Sequence, residues 1–244
     1  MASGNPTLTE KTFLGFPKST VAMTLDGTIN KTVMLLLLVV ASAAFTWTLV
    51  GAKDIVIASI LMFGGAITGF ILAIIIVFRP QWAPTLAPFY ALCEGFLLGG
   101  LSSLLEQQLP GIAIQAVGIT FGTMLCMLAI YKAKLITVTE KFRLGLFAAT
   151  GAIALIYLVS TILRLFGVSV PFIHENGLFG IIFSLIVVGI AALNLVLDFD
   201  FIEKGVSANA PKFMEWYAAF GLMVTLIWLY VEILRLLSKI RSRR

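Results

Sequence analysis

The sequence predicts an all-α integral membrane protein, a bundle of seven transmembrane helices. Three observations predict this class: 60% of the 244 residues are hydrophobic, only 12% are charged, and the apolar residues occur in long uninterrupted stretches. Soluble domains are about 45–50% apolar and about 25% charged, so this charge could not cover a water-soluble surface of the same size. The composition therefore excludes a disordered chain, a disulfide scaffold and an ordinary cytosolic enzyme.

The spans follow from the need for about 20 apolar residues to cross the hydrocarbon. Residues 1–30 are polar and lack the pattern of a signal peptide, so we expect a cytoplasmic tail and a retained first span. The predicted helices cover 32–52, 55–78, 84–105, 107–131, 144–165, 177–202 and 213–237. Helices are favoured over barrel strands, which are shorter and alternate in polarity. The links are short, so 31–240 is predicted as one membrane domain.

The distribution of basic residues predicts the orientation. Ten lysines and arginines fall in the tail and in the links after helices 2, 4 and 6, whereas the opposite links hold only Lys53 and Arg164. Since basic residues stay on the cytoplasmic side, the N-terminus is predicted to be cytoplasmic. The protein is expected in the cell inner (cytoplasmic) membrane. The basic C-terminus opposes this orientation if helix 7 crosses fully and agrees with it if helix 7 dips in and returns. We predict seven crossings.

Glycines recur at four-residue spacing in three helices, a pattern that lets helices approach closely in lipid. General packing of the bundle is the favoured interpretation, and a dimer motif is the alternative. The pairs are Gly65 with Gly69, Gly95 with Gly99, and Gly118 with Gly122.

Acidic residues inside the predicted spans are the candidate functional residues, because an ionisable group is costly at membrane depth. Glu94 interrupts helix 3, Asp198 and Asp200 close helix 6, and Glu232 lies in the last part of helix 7. Asn194 precedes Asp198 by four residues and shares its helix face. Asp200 points elsewhere.

Helix 7 also carries a polar stripe, formed by Thr225, Trp228, Glu232 and Arg235 at helical spacing. Such a stripe should turn toward the bundle interior, where it can meet the polar face of helix 6. Two carboxylates in contact there could share one proton and titrate as a coupled unit. Their oxygens are also ligands that Ca²⁺ prefers. A pair of acids from the two helices could therefore both sense protons and line a cation path.

Structural interpretations of the same residues stay open. Asp200 could belong to an ordinary wet helix end, and Glu232 could form an intrahelical pair with Arg235 near the interface. Glu94 could be satisfied by Ser102, Ser103 or a neighbouring helix without a further role.

At these residues the sequence resembles the Bax-inhibitor family of membrane proteins, in its bacterial branch. The resemblance covers about residues 30–240 and rests on three motifs. They are the end of helix 6 with Leu197, Asp198, Asp200 and Ile202, the segment Leu229–Leu237 of helix 7, and the segment Glu94–Gly99 of helix 3. The resemblance implies a seven-helix bundle with helix 7 central. It also implies a pH-sensitive Ca²⁺ leak controlled by an acidic pair, here Asp198 and Glu232, with Glu in place of the family's second Asp.

Two functions are weighed. The first is a pH-sensitive leak channel for cations, chiefly Ca²⁺ as the permeant ion, with Glu94, Asn194, Asp200 and Arg235 in support. The second is a membrane interaction protein that binds and modulates another membrane protein, such as a quality-control protease. An enzyme is not expected, because the lone His174 has no zinc-binding spacing and no nucleophile motif is present. We expect no catalytic residue, cofactor, resident metal or nucleic-acid partner. The main environment of the protein is expected to be the lipid bilayer.

Overall fold

The described part of the chain folds into seven long helices. The computed structural model describes residues 22–166 and 177–243. The helices are α1 (Leu25–Gly51), α2 (Ile55–Phe78), α3 (Ala83–Gln108), α4 (Ile112–Lys132), α5 (Glu140–Leu165), α6 (Leu178–Ser207) and α7 (Met214–Ser242). All seven are long and apolar enough to cross a membrane, and these residues contain no β-strand, which confirms the predicted all-α class.

Several helices begin or end outside the predicted apolar spans. Helix α1 begins at Leu25 instead of 32, and α5 begins at Glu140 instead of 144. The side chains of Thr24 and Thr139 cap these two helices, each accepting the backbone N–H three residues later, at 3.0 and 3.2 Å. Apolar windows mark the part of a helix that lies in hydrocarbon, whereas caps set the true end. Most of the predicted tail, residues 1–21, lies outside the described residues.

By its contacts the chain divides into two units, and α6 and α7 contribute to both. Unit 2 comprises the described residues 22–113 and 201–224. Within it, α3 packs closely on α1 through two glycines. A Cβ on Gly95 would lie 2.4 Å from the carbonyl oxygen of Val39, and one on Gly99 would lie 2.2 Å from that of Ala43. These distances leave no room for a side chain, so the spacing of glycines sets the α1–α3 contact.

Unit 1 comprises the described residues 114–166, 177–200 and 225–243. Within it, α5 and α6 run antiparallel, because Thr150 contacts Asn194 while Arg143, earlier on α5, contacts Asp200, later on α6. Glycine spacing did not predict packing everywhere in this unit. The pair Gly118 and Gly122 faces open space, since a Cβ on either would meet no described atom within 4 Å.

Helix α7 is one continuous helix of 29 residues. At 1.5 Å per residue it is about 43 Å long, more than the hydrocarbon thickness of about 30 Å. A chain that entered and returned would need a break within this segment, so the geometry favours a full crossing. Of the most apolar 18-residue stretches, those of α7 and α6 are the most buried, at 56% and 50%, against 17% for α2 and α5. Helices α2 and α5 therefore leave most of their apolar side chains for lipid.

Candidate functional site

Glu232 lies buried on α7 with both carboxylate oxygens bonded. The Tyr157 hydroxyl of α5 donates a hydrogen bond to Oε2 at 3.0 Å. Arg235, one turn further along α7, donates to Oε1 at 2.9 Å, and its guanidinium lies 4.6 Å from the centre of the Tyr157 ring. The predicted polar stripe thus turns inward at Glu232, and the intrahelical pair with Arg235 is present. Sequence reasoning missed Tyr157, because no spacing rule links α5 to α7.

Asp198 is fully buried on α6, with none of its surface exposed. Asn194, one turn earlier and also buried, donates to the Thr150 hydroxyl at 3.0 Å and to the Ile190 carbonyl at 2.9 Å. The carbonyl oxygen of the Asn194 side chain has no hydrogen-bond partner among the described residues. A buried polar oxygen without a partner is rare in proteins. This face of α6 is therefore polar, as its sequence predicts.

Asp198 and Glu232 lie at different positions along the helix axes of unit 1. Their positions can be compared along α5, which contacts both α6 and α7. Tyr157, the partner of Glu232, lies seven residues beyond Thr150, the partner of Asn194, or about 10 Å along α5. Asp198 lies four residues beyond Asn194, about 6 Å in the opposite direction, because α6 is antiparallel to α5. The backbone levels of the two acids thus differ by roughly 10–16 Å, since the long Tyr157 side chain can span part of the offset. These levels favour two separate acidic positions over one directly hydrogen-bonded pair.

Asp200 pairs with Arg143, in the first turn of α5. Their side chains keep only 14% and 6% of their surface exposed. The sequence placed Arg143 in the basic link before α5 and left open that Asp200 was part of a wet helix end. The structure instead gives a mostly buried ion pair, which ties the end of α6 to the start of α5.

Glu94 belongs to unit 2. Its side chain lies beside Tyr90, one turn earlier on α3. It also lies against α2, since a Cβ on Gly69 would be 3.2 Å from its Oε1. Glu94 is therefore a local feature of the α2–α3 contact.

A further buried acid, Glu215, was missed by the sequence analysis. Its carboxylate accepts hydrogen bonds from Lys31, from Lys212 at 2.7 Å, and from the backbone N–H and hydroxyl of Thr24 at 2.9 and 2.8 Å. A Cβ on Gly27 would lie 2.2 Å from it. The only signal in the sequence was an acid in the first turn of a helix, which the helix dipole favours.

Lys239, in the last turn of α7, was also missed as a buried residue. The sequence grouped it with a basic C-terminal tail, yet it is only 4% exposed. Its ammonium donates to the Gly180 carbonyl at 3.0 Å and to the Ser184 hydroxyl at 2.9 Å, both on α6. Arg241 donates to Gln115 at 2.7 Å.

The described residues were considered for clusters of side chains that could bind a metal ion. In residues 22–166 and 177–243, no group of three or more His, Cys, Asp or Glu side chains could hold a metal ion. His174 lies outside the described residues. The candidate functional groups are therefore buried carboxylates, which contact basic, aromatic and hydroxyl side chains.

Seven apolar helices with buried acids on α6 and α7 define a multi-pass α-helical membrane protein. The chain belongs to the Bax inhibitor 1 like family, whose model matches residues 5–242, nearly its whole length. The resemblance inferred from helices 3, 6 and 7 is confirmed. Searches of curated proteins and of solved structures give no significant match.

Proposed function

We propose that this protein is a pH-sensitive cation leak, conducting chiefly Ca²⁺, and that Asp198 and Glu232 control it. The observation that carries the proposal is the complete burial of Asp198 in a membrane-spanning helix. An ionised carboxylate at that depth is costly, so such a residue is kept where function uses its charge or its proton.

Protonation of Asp198 would change the charge of its surroundings by a full unit in a medium of low dielectric. The ionised form offers the hard oxygen ligands that Ca²⁺ prefers, and the protonated form does not. The neighbouring Asn194 carbonyl oxygen, which has no hydrogen-bond partner among the described residues, adds a neutral oxygen ligand on the same face. Binding and release of a proton would therefore alter the affinity of this position for a cation.

Glu232 serves a different role in this proposal. Its two oxygens are held by Tyr157 and Arg235, so α5 and α7 are joined through its charge. Losing that charge would release Arg235 from its partner and weaken the contact between the two helices. Glu232 thus acts on the leak by positioning α7, roughly 10–16 Å along unit 1 from Asp198.

The orientation belongs to the same proposal, with the N-terminus in the cytoplasm and the protein in the cell inner membrane. The basic C-terminus, which opposes this orientation in the sequence, has internal partners. Arg235 bonds to Glu232, Lys239 to Ser184, and Arg241 to Gln115.

The test is Ca²⁺ uptake into liposomes that contain the purified protein, compared with Asp198→Asn and Glu232→Gln. We expect each variant to fall toward the uptake of protein-free liposomes. Asp54→Asn is the matched control, since Asp54 is exposed and its side chain makes no capping bond to α2. Wild-type uptake in both acid variants would refute the proposal. Absence of uptake by the wild type, together with stable co-purification of another membrane protein, would favour the interaction function.

A further inference from the structure

Lys239 occupies an unusual position for a lysine at a helix end. It lies three residues before the end of α7, about 5 Å along the axis. Lysines in such positions normally extend their ammonium to water at the membrane interface. Lys239 instead turns into unit 1 and keeps only 4% of its surface exposed. Burying an ammonium costs free energy, so the groups that receive it must favour a cation at that point.

Two of the groups that receive it are neutral oxygens of α6. The Gly180 carbonyl and the Ser184 hydroxyl are one helical turn apart and accept from the Lys239 ammonium at 3.0 and 2.9 Å. Backbone carbonyls and hydroxyls are oxygen ligands that replace the hydration shell of a cation in proteins. This pair of oxygens is therefore chemically suited to a small monovalent cation as well as to an ammonium group.

The charged neighbours of this position lie on the same face of α7. Glu232, Arg235 and Lys239 are spaced by three and four residues, so they follow one another along that face. Arg235 is already paired with Glu232. The ammonium of Lys239 places a further positive charge on this face, where it opposes the approach of another cation.

We propose that Lys239 is a tethered cation that fills a monovalent-cation site formed by the Gly180 carbonyl and the Ser184 hydroxyl. By filling it, Lys239 restrains cation entry at this end of unit 1, and this second statement rests on the leak function proposed above. The alternative is that Lys239 only fastens α7 to α6.

The cation site can be tested without any transport measurement, using Lys239→Met and the double variant Lys239→Met with Ser184→Ala. The Tm of each purified protein is measured in potassium chloride and in choline chloride at equal ionic strength. We expect Lys239→Met to gain about 3 °C in potassium, because the ion binds the vacated oxygens of the folded state. The wild type and the double variant should show no such gain. Equal Tm values for Lys239→Met in the two salts would overturn the site.

Flux through proteoliposomes tests the second statement. We expect Lys239→Met to conduct cations several-fold faster than the wild type, whereas a lysine that only fastens helices would leave flux unchanged. If Lys239→Met does not fold, Lys239→Gln decides, because its amide can still donate hydrogen bonds but carries no charge. Wild-type flux in that variant would refute the restraining role. A wild-type protein without any flux would refute the leak and leave the potassium-dependent Tm to decide the cation site.

Discussion

Replacing Glu215 with alanine removes the acceptor of four hydrogen bonds at the start of α7, two of them from ammonium groups. Removing one partner of a buried ion pair costs about 3–5 kcal/mol, because the other charge is left without compensation. Here Lys31 and Lys212 keep 19% and 47% of their side-chain surface exposed, so water can solvate them in part. We therefore expect a loss of about 2–3 kcal/mol.

The assay is thermal unfolding of the purified protein in detergent, where this loss corresponds to a fall in Tm of about 5–10 °C. Glu140→Ala is the matched control, since Glu140 also lies in the first turn of a helix but is exposed. It loses only its interaction with the helix dipole, at most about 1 kcal/mol. Glu215→Gln should fall between the two, because its amide oxygen can still accept from Thr24. A fall for Glu215→Ala no larger than that of Glu140→Ala would refute the reasoning.

Three further predictions concern the contacts within each unit. Gly99→Ala should cost about 1–3 kcal/mol by forcing α3 away from α1, whereas Gly122→Ala should be neutral or stabilising; equal Tm values for the two would count against the close packing. Arg143→Gln and Asp200→Asn should show a coupling of about 1–3 kcal/mol in a double-mutant cycle of unfolding free energies, and strictly additive losses would mean that the ion pair contributes little. Tyr157→Phe should cost about 1.5–3 kcal/mol through the lost bond to a charged acceptor, and a Tm like that of the wild type would contradict this.

The number and type of helices could be predicted from the sequence because each span is a long apolar stretch. The burial of Asp198 and Glu232 was also predictable, because a carboxylate within an apolar span is costly against lipid and faces the bundle interior instead. The precise helix ends were not, because they depend on capping by residues such as Thr24 and Thr139 outside the apolar windows.

Contacts between distant segments escaped the sequence analysis for a different reason. Glu215 meets Thr24 across 191 residues, and no local pattern connects them. The levels of Asp198 and Glu232 depend on the register of α5 against α6, which hydropathy does not encode. Lys239 has the same sequence context as an exposed tail residue, and only the position of α6 makes it a buried one.

The most direct measurement of the central claim is the pH dependence of Ca²⁺ flux through the wild type and Asp198→Asn in the same liposomes. We expect wild-type flux to change with pH, because this buried carboxyl group can gain or lose its proton. Asp198→Asn, which carries no titrating group at this position, should show a flat profile. A pH profile of Asp198→Asn that matches the wild type would contradict the claim that this carboxylate is the proton-sensitive element.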